Sequence, residues 1–280
     1  MSAFTTRDGC RIEYREAGAG DRVLVLLHGW SQTQATFDHA VEALGRSTRV
    51  VTYDQRGHGR SARPDGGARI ATLAADLHDL LDHLGLDEVD LLGHSMGASV
   101  VWSYIDTHGT DRLRSVVLVD QPSVCTRLPW MDAAEAEAAG AILDMPGAEA
   151  FCQALLGEGS GAAREAFLRS MLSGDVPEDV VQWLLGENLA MDVGFGTRLL
   201  LDHVMQDWRD VLPRIDRPTL VVGGRASHVA PASQEWIAGQ VPGARLRVFE
   251  AAEGGSHFPF VEQPQTFVDE LSDFLASAGR

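Results

Sequence analysis

The chain has no lysine; all 23 of its basic residues are arginine. That absence excludes Schiff-base chemistry and a lysine general base. Cysteine is scarce: Cys10, Cys125 and Cys152 are odd in number and far apart, and none forms a Cys-x-x-Cys pair. A disulfide framework and a zinc site are therefore not expected, and the three read as small buried or half-buried side chains. No apolar run approaches membrane-spanning length. The stretch from Met1 to Arg11 lacks the positive-then-apolar pattern of a secretory signal, so a cytoplasmic location is expected. Basic charge is also in deficit. The net charge of −17 disfavours phosphate backbones and anionic membranes, so neither nucleic acid nor membrane is expected as a partner. No His-x-x-x-His or paired carboxylate–histidine set suggests a metal, and no cofactor is expected.

What is present is ordinary soluble-protein material: 280 residues, 45% hydrophobic and 22% charged. The first half alternates strand-like and helix-like segments. A polar, strand-like N-terminus leads to Arg11–Glu16, which alternates as an edge strand should. Val23–Leu27, Val50–Tyr53, Val89–Leu92 and Val116–Val119 are short apolar runs that read as buried strands. Thr36–Leu44 and Thr72–Leu84 have helical spacing, the latter with Leu73, Leu77, Leu80, Leu81 and Leu84 on one face. From about Trp130 to Trp208 no buried strand is evident, only alanine- and leucine-rich helical segments punctuated by glycine and proline. The alternation then resumes with strands Thr219–Val222 and Arg245–Phe249. These predict a mainly parallel, doubly wound α/β sheet, residues 1–129 and 209–280, interrupted by an all-helical cap, residues 130–208.

The most informative stretch is Gly93-His94-Ser95-Met96-Gly97, between an apolar run and a helical segment. Strand, tight turn and helix are the context of a nucleophile elbow, with Ser95 exposed in a strained conformation. His94 is expected to point away from the ridge that Ser95 occupies. A serine hydroxyl needs a base, an acid to orient that base, and donors for the oxyanion. The base candidate is His257, in the glycine-rich loop Gly254-Gly255-Ser256-His257 before the last helix. His39, His78, His83, His108 and His203 lie in helical segments and read as solvated. The oxyanion donors are expected from the amides of Met96, directly after the nucleophile, and Trp30, which ends the strand Val23–Leu27 in His28-Gly29-Trp30. The turn Asp54-Gln55-Arg56-Gly57-His58-Gly59 has the wrong glycine spacing for a phosphate loop and reads as a structural turn.

In these pieces, in their order and spacing, the chain resembles the α/β-hydrolase superfamily over nearly its whole length. Within it the chain looks like the capped esterase and cofactor-free haloperoxidase branch. The resemblance implies the α/β-hydrolase fold, with the cap inserted after the sixth strand. One stretch departs from the pattern. The acid of that branch usually stands in Gly-x-x-Asp-x-x-x-Pro, whereas Gly224 to Pro231 here carries Ser227 at that post. Asp120, closing the strand Val116–Val119, is the alternative, at a post that haloalkane dehalogenases and zearalenone-type lactonases use. Glu250 and Glu253 are weaker candidates, and Ser227 is expected to be nearly silent. The run His257-Phe258-Pro259-Phe260-Val261 and the pair Gln121-Pro122 are also similar to those lactonases.

The expected activity is hydrolysis of a carboxylic ester or lactone through an acyl-enzyme on Ser95, with His257 as base and Asp120 as acid. A thioesterase, a carbon–carbon bond hydrolase, a perhydrolase or haloperoxidase, or a slow-turnover binding protein of the same fold are the alternatives. Of the apolar cap residues Trp130, Met131, Met145, Phe151, Met171, Trp183, Met191 and Phe195, most are expected to form the cap's own core and a minority to face the serine. Trp130, Met131 and Trp183, with Phe258 beside the histidine, are the candidates to line an apolar substrate pocket. The expected partner is a small apolar ester or lactone, and the expected assembly a monomer or homodimer.

Overall fold

The apolar runs fall at the centre of an eight-stranded sheet, and the polar ones at its edges. The computed structural model describes residues 1–278. Its strands are β1 (Ser2–Thr5), β2 (Arg11–Ala17), β3 (Val23–Leu27), β4 (Arg49–Tyr53), β5 (Val89–His94), β6 (Leu113–Val119), β7 (Thr219–Gly224) and β8 (Arg245–Phe249). Their order across the sheet is β1-β2-β4-β3-β5-β6-β7-β8. β1 and β2 pair antiparallel, as do β2 and β4; every later pairing is parallel. Central β3 and β5 are buried at every residue, whereas edge strand β8 is buried only at Phe249. This is the pattern of a parallel sheet covered on both faces.

The period of two along each strand divides the core. Val23, Val25 and Leu27 of β3 face one cluster, with Ile70, Leu73 and Leu77 of the helix Ile70–His83 and Val101 and Tyr104 of the helix Met96–His108. Leu24 and Leu26 face the other, with Phe267, Leu271 and Phe274 of the helix Pro264–Ala278. Each fully buried leucine or phenylalanine contributes roughly 1.5–3 kcal/mol relative to exposure. Truncating one in β3 or β5 would loosen a cluster that holds the sheet's central strand ends in register.

Between β6 and β7 the chain forms helices Ala133–Ala139, Met145–Leu156, Ser160–Ser170, Glu178–Leu189 and Val193–Val204, with no further strand of the sheet among the described residues. Three of them start on aspartate caps: Asp132, Asp144 and Asp192 accept from the amides of Glu135, Gly147 and Phe195. Such a cap is worth about 1 kcal/mol. The helices are tied to the strand ends. Trp30 Nε1 donates to the Gly196 carbonyl at 2.8 Å, Asn188 Nδ2 donates to Ser31 Oγ, and the His257 amide donates to the Met171 carbonyl at 3.1 Å. The all-helical cap is thus fixed over the carboxyl ends of the strands, where an open α/β sheet binds its ligands. Among the described residues no helix is long and apolar enough to cross a membrane.

Candidate active site

β5 ends at His94 and the next helix begins at Met96, so Ser95 alone makes the turn. It does so at φ 52° and ψ −126°, a conformation that side chains rarely adopt. Close packing leaves no gentler route. A Cβ on Gly93 would lie 2.5 Å from the Gly97 carbonyl, and one on Gly97 would lie 2.3 Å from the Leu27 carbonyl oxygen. Only glycine lets strand, turn and helix approach this closely. The Ser95 amide is held by the Val119 carbonyl at 2.9 Å, which binds the turn to the end of β6. Among the described residues three non-glycines have positive φ, and all three are at this edge: Ser31, Ser95 and Asp120. Clustered backbone strain of this kind marks functional sites.

Asp120 is the first residue past β6 and is fully buried. Its Oδ2 accepts from His257 Nδ1 at 2.6 Å and from Ser227 Oγ at 2.5 Å. Its Oδ1 accepts from the Gly224 amide at 3.3 Å. Three donors therefore surround one dry carboxylate, which is what a buried charge requires. Ser227, whose removal is expected to be nearly silent, stands on the loop after β7, beside Asp120, and donates to it. Glu250 and Glu253 instead face Arg225 and Arg247 on the surface.

His257 is buried, and its Nε2 makes no protein hydrogen bond among the described residues. It borders a cavity of about 240 Å³ that Ser95, Gly29 and Trp30 also line. No hydrogen bond joins Ser95 Oγ to His257 in this conformation, and such contacts are often loose before substrate binds. The Trp30 and Met96 amides donate to no protein group among the described residues. Gly29 lies against the serine: a Cβ there would be 3.0 Å from Ser95 Cβ.

His94 does not point away, as expected from its place in the turn. It also borders the cavity, and its Nε2–H donates to the His257 carbonyl at 2.8 Å, with ring centroids 4.6 Å apart. Burial holds its pKa well below the usual histidine value, so it is a neutral strut between the turn and the His257 loop.

The cap supplies part of the walls. Leu143, Phe151, Phe167, Met171, Leu200 and Val204 face the cavity, and Phe258 closes it from the core. The other expected wall residues lie elsewhere. Trp130 is 70% exposed, and Trp183 is 39% exposed, because the helix Glu178–Leu189 turns Val181, Leu184, Leu185 and Asn188 inward instead. Met131 packs into a small cluster with Val124, Leu128 and Ala136. Phe195 is buried against Gly57.

Two histidines without any local signature enter the wall. His203, expected to be solvated, is buried; its signal was the apolar stripe Leu199, Leu200 and Val204 on the same helix. His228 stands 4.6 Å from His257, ring to ring. Burial pushes the His203 pKa down to about 4. Burial, and then the neighbouring His257, push that of His228 down to about 3. Cys125, beside His203, is an inert thiol, its pKa pushed up to about 12 by burial.

Residues 24–270 match the alpha/beta hydrolase family, and the chain belongs to it, in the haloperoxidase and esterase branch. It is an enzyme of that superfamily. A non-heme chloroperoxidase of Kitasatospora aureofaciens is 31% identical over 91% of this chain and 92% of its own length. The bromoperoxidase of Bacillus anthracis superposes with a TM-score of 0.88 at 26% identity, covering 98% of this chain and all of that one. An esterase from Rhodococcus sp. superposes at 0.83 with 27% identity, covering 99% of this chain and all of its own.

Proposed function

We propose that the chain hydrolyses carboxylic esters or lactones through an acyl-enzyme on Ser95. The observation that carries this is one cavity holding a strained turn serine and a histidine whose far nitrogen is bound to a buried aspartate. Nδ1–H of His257 donates to Asp120, so Nε2 is left with its lone pair toward the cavity. Ser95 Oγ attacks the substrate carbonyl carbon while Nε2 takes its proton. Asp120 stabilises the imidazolium that forms, and the Trp30 and Met96 amides receive the oxyanion. Collapse breaks the bond to the alcohol oxygen, which takes the proton from Nε2. Water then repeats the sequence on the acyl-enzyme and frees Ser95. The walls favour an apolar acyl chain or ring, because buried apolar area is what they can offer a guest.

The haloperoxidase names of the relatives favour one variation. Hydrogen peroxide in place of water would attack the same acyl carbon and release a peracid. It needs no further residue.

Ser95→Ala tests the reading. It should lower p-nitrophenyl ester hydrolysis roughly 10³-fold or more with the circular dichroism spectrum unchanged. A fluorophosphonate should label Ser95 and leave the other serines unmodified. A folded variant with near-parental turnover would sink the mechanism.

A further inference from the structure

The mechanism leaves several polar side chains of the cavity wall with unpartnered atoms, Gln32, His94, His203 and His228 among them. His228 borders the cavity beside His257, on the loop that Ser227 ties to Asp120. Its Nδ1 is enclosed and has no partner, and its Nε2 bonds to no protein group among the described residues. A neutral imidazole always carries one donor and one acceptor. Burial keeps this one neutral throughout the working pH range. In a dry site an enclosed N–H is costlier to leave alone than an enclosed lone pair. The proton therefore belongs on Nε2, the nitrogen left for the cavity. Two adjacent imidazoles then carry opposite tautomers. His257 offers the cavity a lone pair, and His228 offers it an N–H.

On the ester-hydrolase reading, the atom nearest His257 Nε2 during bond cleavage is the oxygen of the departing alcohol. A donor on the neighbouring ring faces that same half of the substrate. We propose that His228 is a specificity-determining residue that selects esters and lactones whose alcohol portion carries a hydrogen-bond acceptor, such as an ether or carbonyl oxygen, close to the scissile bond. Acyl portions would still be chosen by the apolar walls. No proton is transferred to or from His228. A substrate lacking the acceptor leaves the N–H dry, and that loss sets the discrimination.

Two esters of equal size test this: 2-methoxyethyl butanoate and n-butyl pentanoate's shorter homologue, n-butyl butanoate, which differ by one ether oxygen against one methylene. Their kcat/KM ratio is divided by the ratio of their hydroxide-catalysed rates, which removes the intrinsic leaving-group difference. The unmodified enzyme should favour the ether by a corrected factor of roughly ten. His228→Phe, which fills the same space, should bring that factor to about one, and His228→Gln, which keeps an N–H, should restore part of it. Turnover of p-nitrophenyl butanoate, which has no acceptor near its ester oxygen, reports any general effect of changing the wall, and the loss on the ether ester should exceed it by the same factor of roughly ten. A corrected factor near one in the unmodified enzyme, or an equal loss on all three esters in His228→Phe, overturns the proposal. Absence of any ester turnover, with no fluorophosphonate adduct on Ser95, overturns the hydrolase reading on which it rests.

Discussion

Two pairs of histidines that burial keeps neutral differ in one respect. His28 and His58 lie in the turns under β3 and β4, and both of their nitrogens are occupied. His28 Nδ1–H donates to the Gly29 carbonyl and its Nε2 accepts from the Gln55 amide; His58 does the same with the Arg56 carbonyl and the Ser31 amide. His203 and His228 line the cavity, and Nδ1 of each has no partner. All four are held neutral by burial. The first pair is complete without a guest and knits two loops together. The second has bonding capacity to spare. Among histidines that burial keeps neutral, unfinished hydrogen bonding, rather than a displaced pKa, separates the wall of a site from its scaffold.

Acid should break the comparison most strongly, because it attacks both pairs. The native pKa of His28 and His203 is about 4, and that of His58 and His228 about 3, against 6.5 for a free histidine. The unfolded chain takes up protons below about pH 6.5 that the native histidines refuse. Their contribution to stability is present above that pH and is lost as the pH falls toward 4. Urea unfolding at pH 7 and pH 4.5 should show a loss of several kcal/mol. An unchanged midpoint would mean that these rings are not buried neutral.

A smaller effect separates the pairs. His58→Leu should destabilise by roughly 2–4 kcal/mol, since it strands the Ser31 amide and the Arg56 carbonyl. His203→Leu should cost less than about 1 kcal/mol, because it gives up only a 3.9 Å contact with Cys125 Sγ. Chemical denaturation of both variants measures the difference, and equal losses would erase the distinction between the pairs. The smallest effect concerns Ser227. Removing its hydrogen bond to Asp120 in Ser227→Ala should lower kcat roughly three- to tenfold on p-nitrophenyl esters. An unchanged rate would show that Asp120 needs only the histidine.

The comparison also explains which parts could be read from residues alone. Ser95 announces itself through glycines that only a strand–turn–helix demands, and β3, β5 and β6 through unbroken apolar runs. Asp120 could be considered because it closes one of those runs. These signals are local, and each follows from backbone sterics or burial. Trp130, Met131 and Trp183 failed because an aromatic or thioether on a cap helix carries no mark of which way it faces. The cap's packing on the strand ends decides that, and it turned these three to solvent or to a separate cluster. His203 and His228 were missed for the same reason: a lone histidine looks alike whether it meets water or a cavity. The contact of Ser227 with Asp120 has no local signature because its partner is 107 residues distant in the chain.

β6 and β7 run side by side, and the residues that follow them share a hydrogen bond. On the proposed reading, a carboxylate at either strand end could meet the same imidazole, and here Asp120 meets it while Ser227 donates to that carboxylate. Order along the chain and place in space are separate coordinates of the same site. A column-by-column comparison of sequences sees only the first, and at Ser227 it would find a hydroxyl and pass over the carboxylate that lies beside it in space.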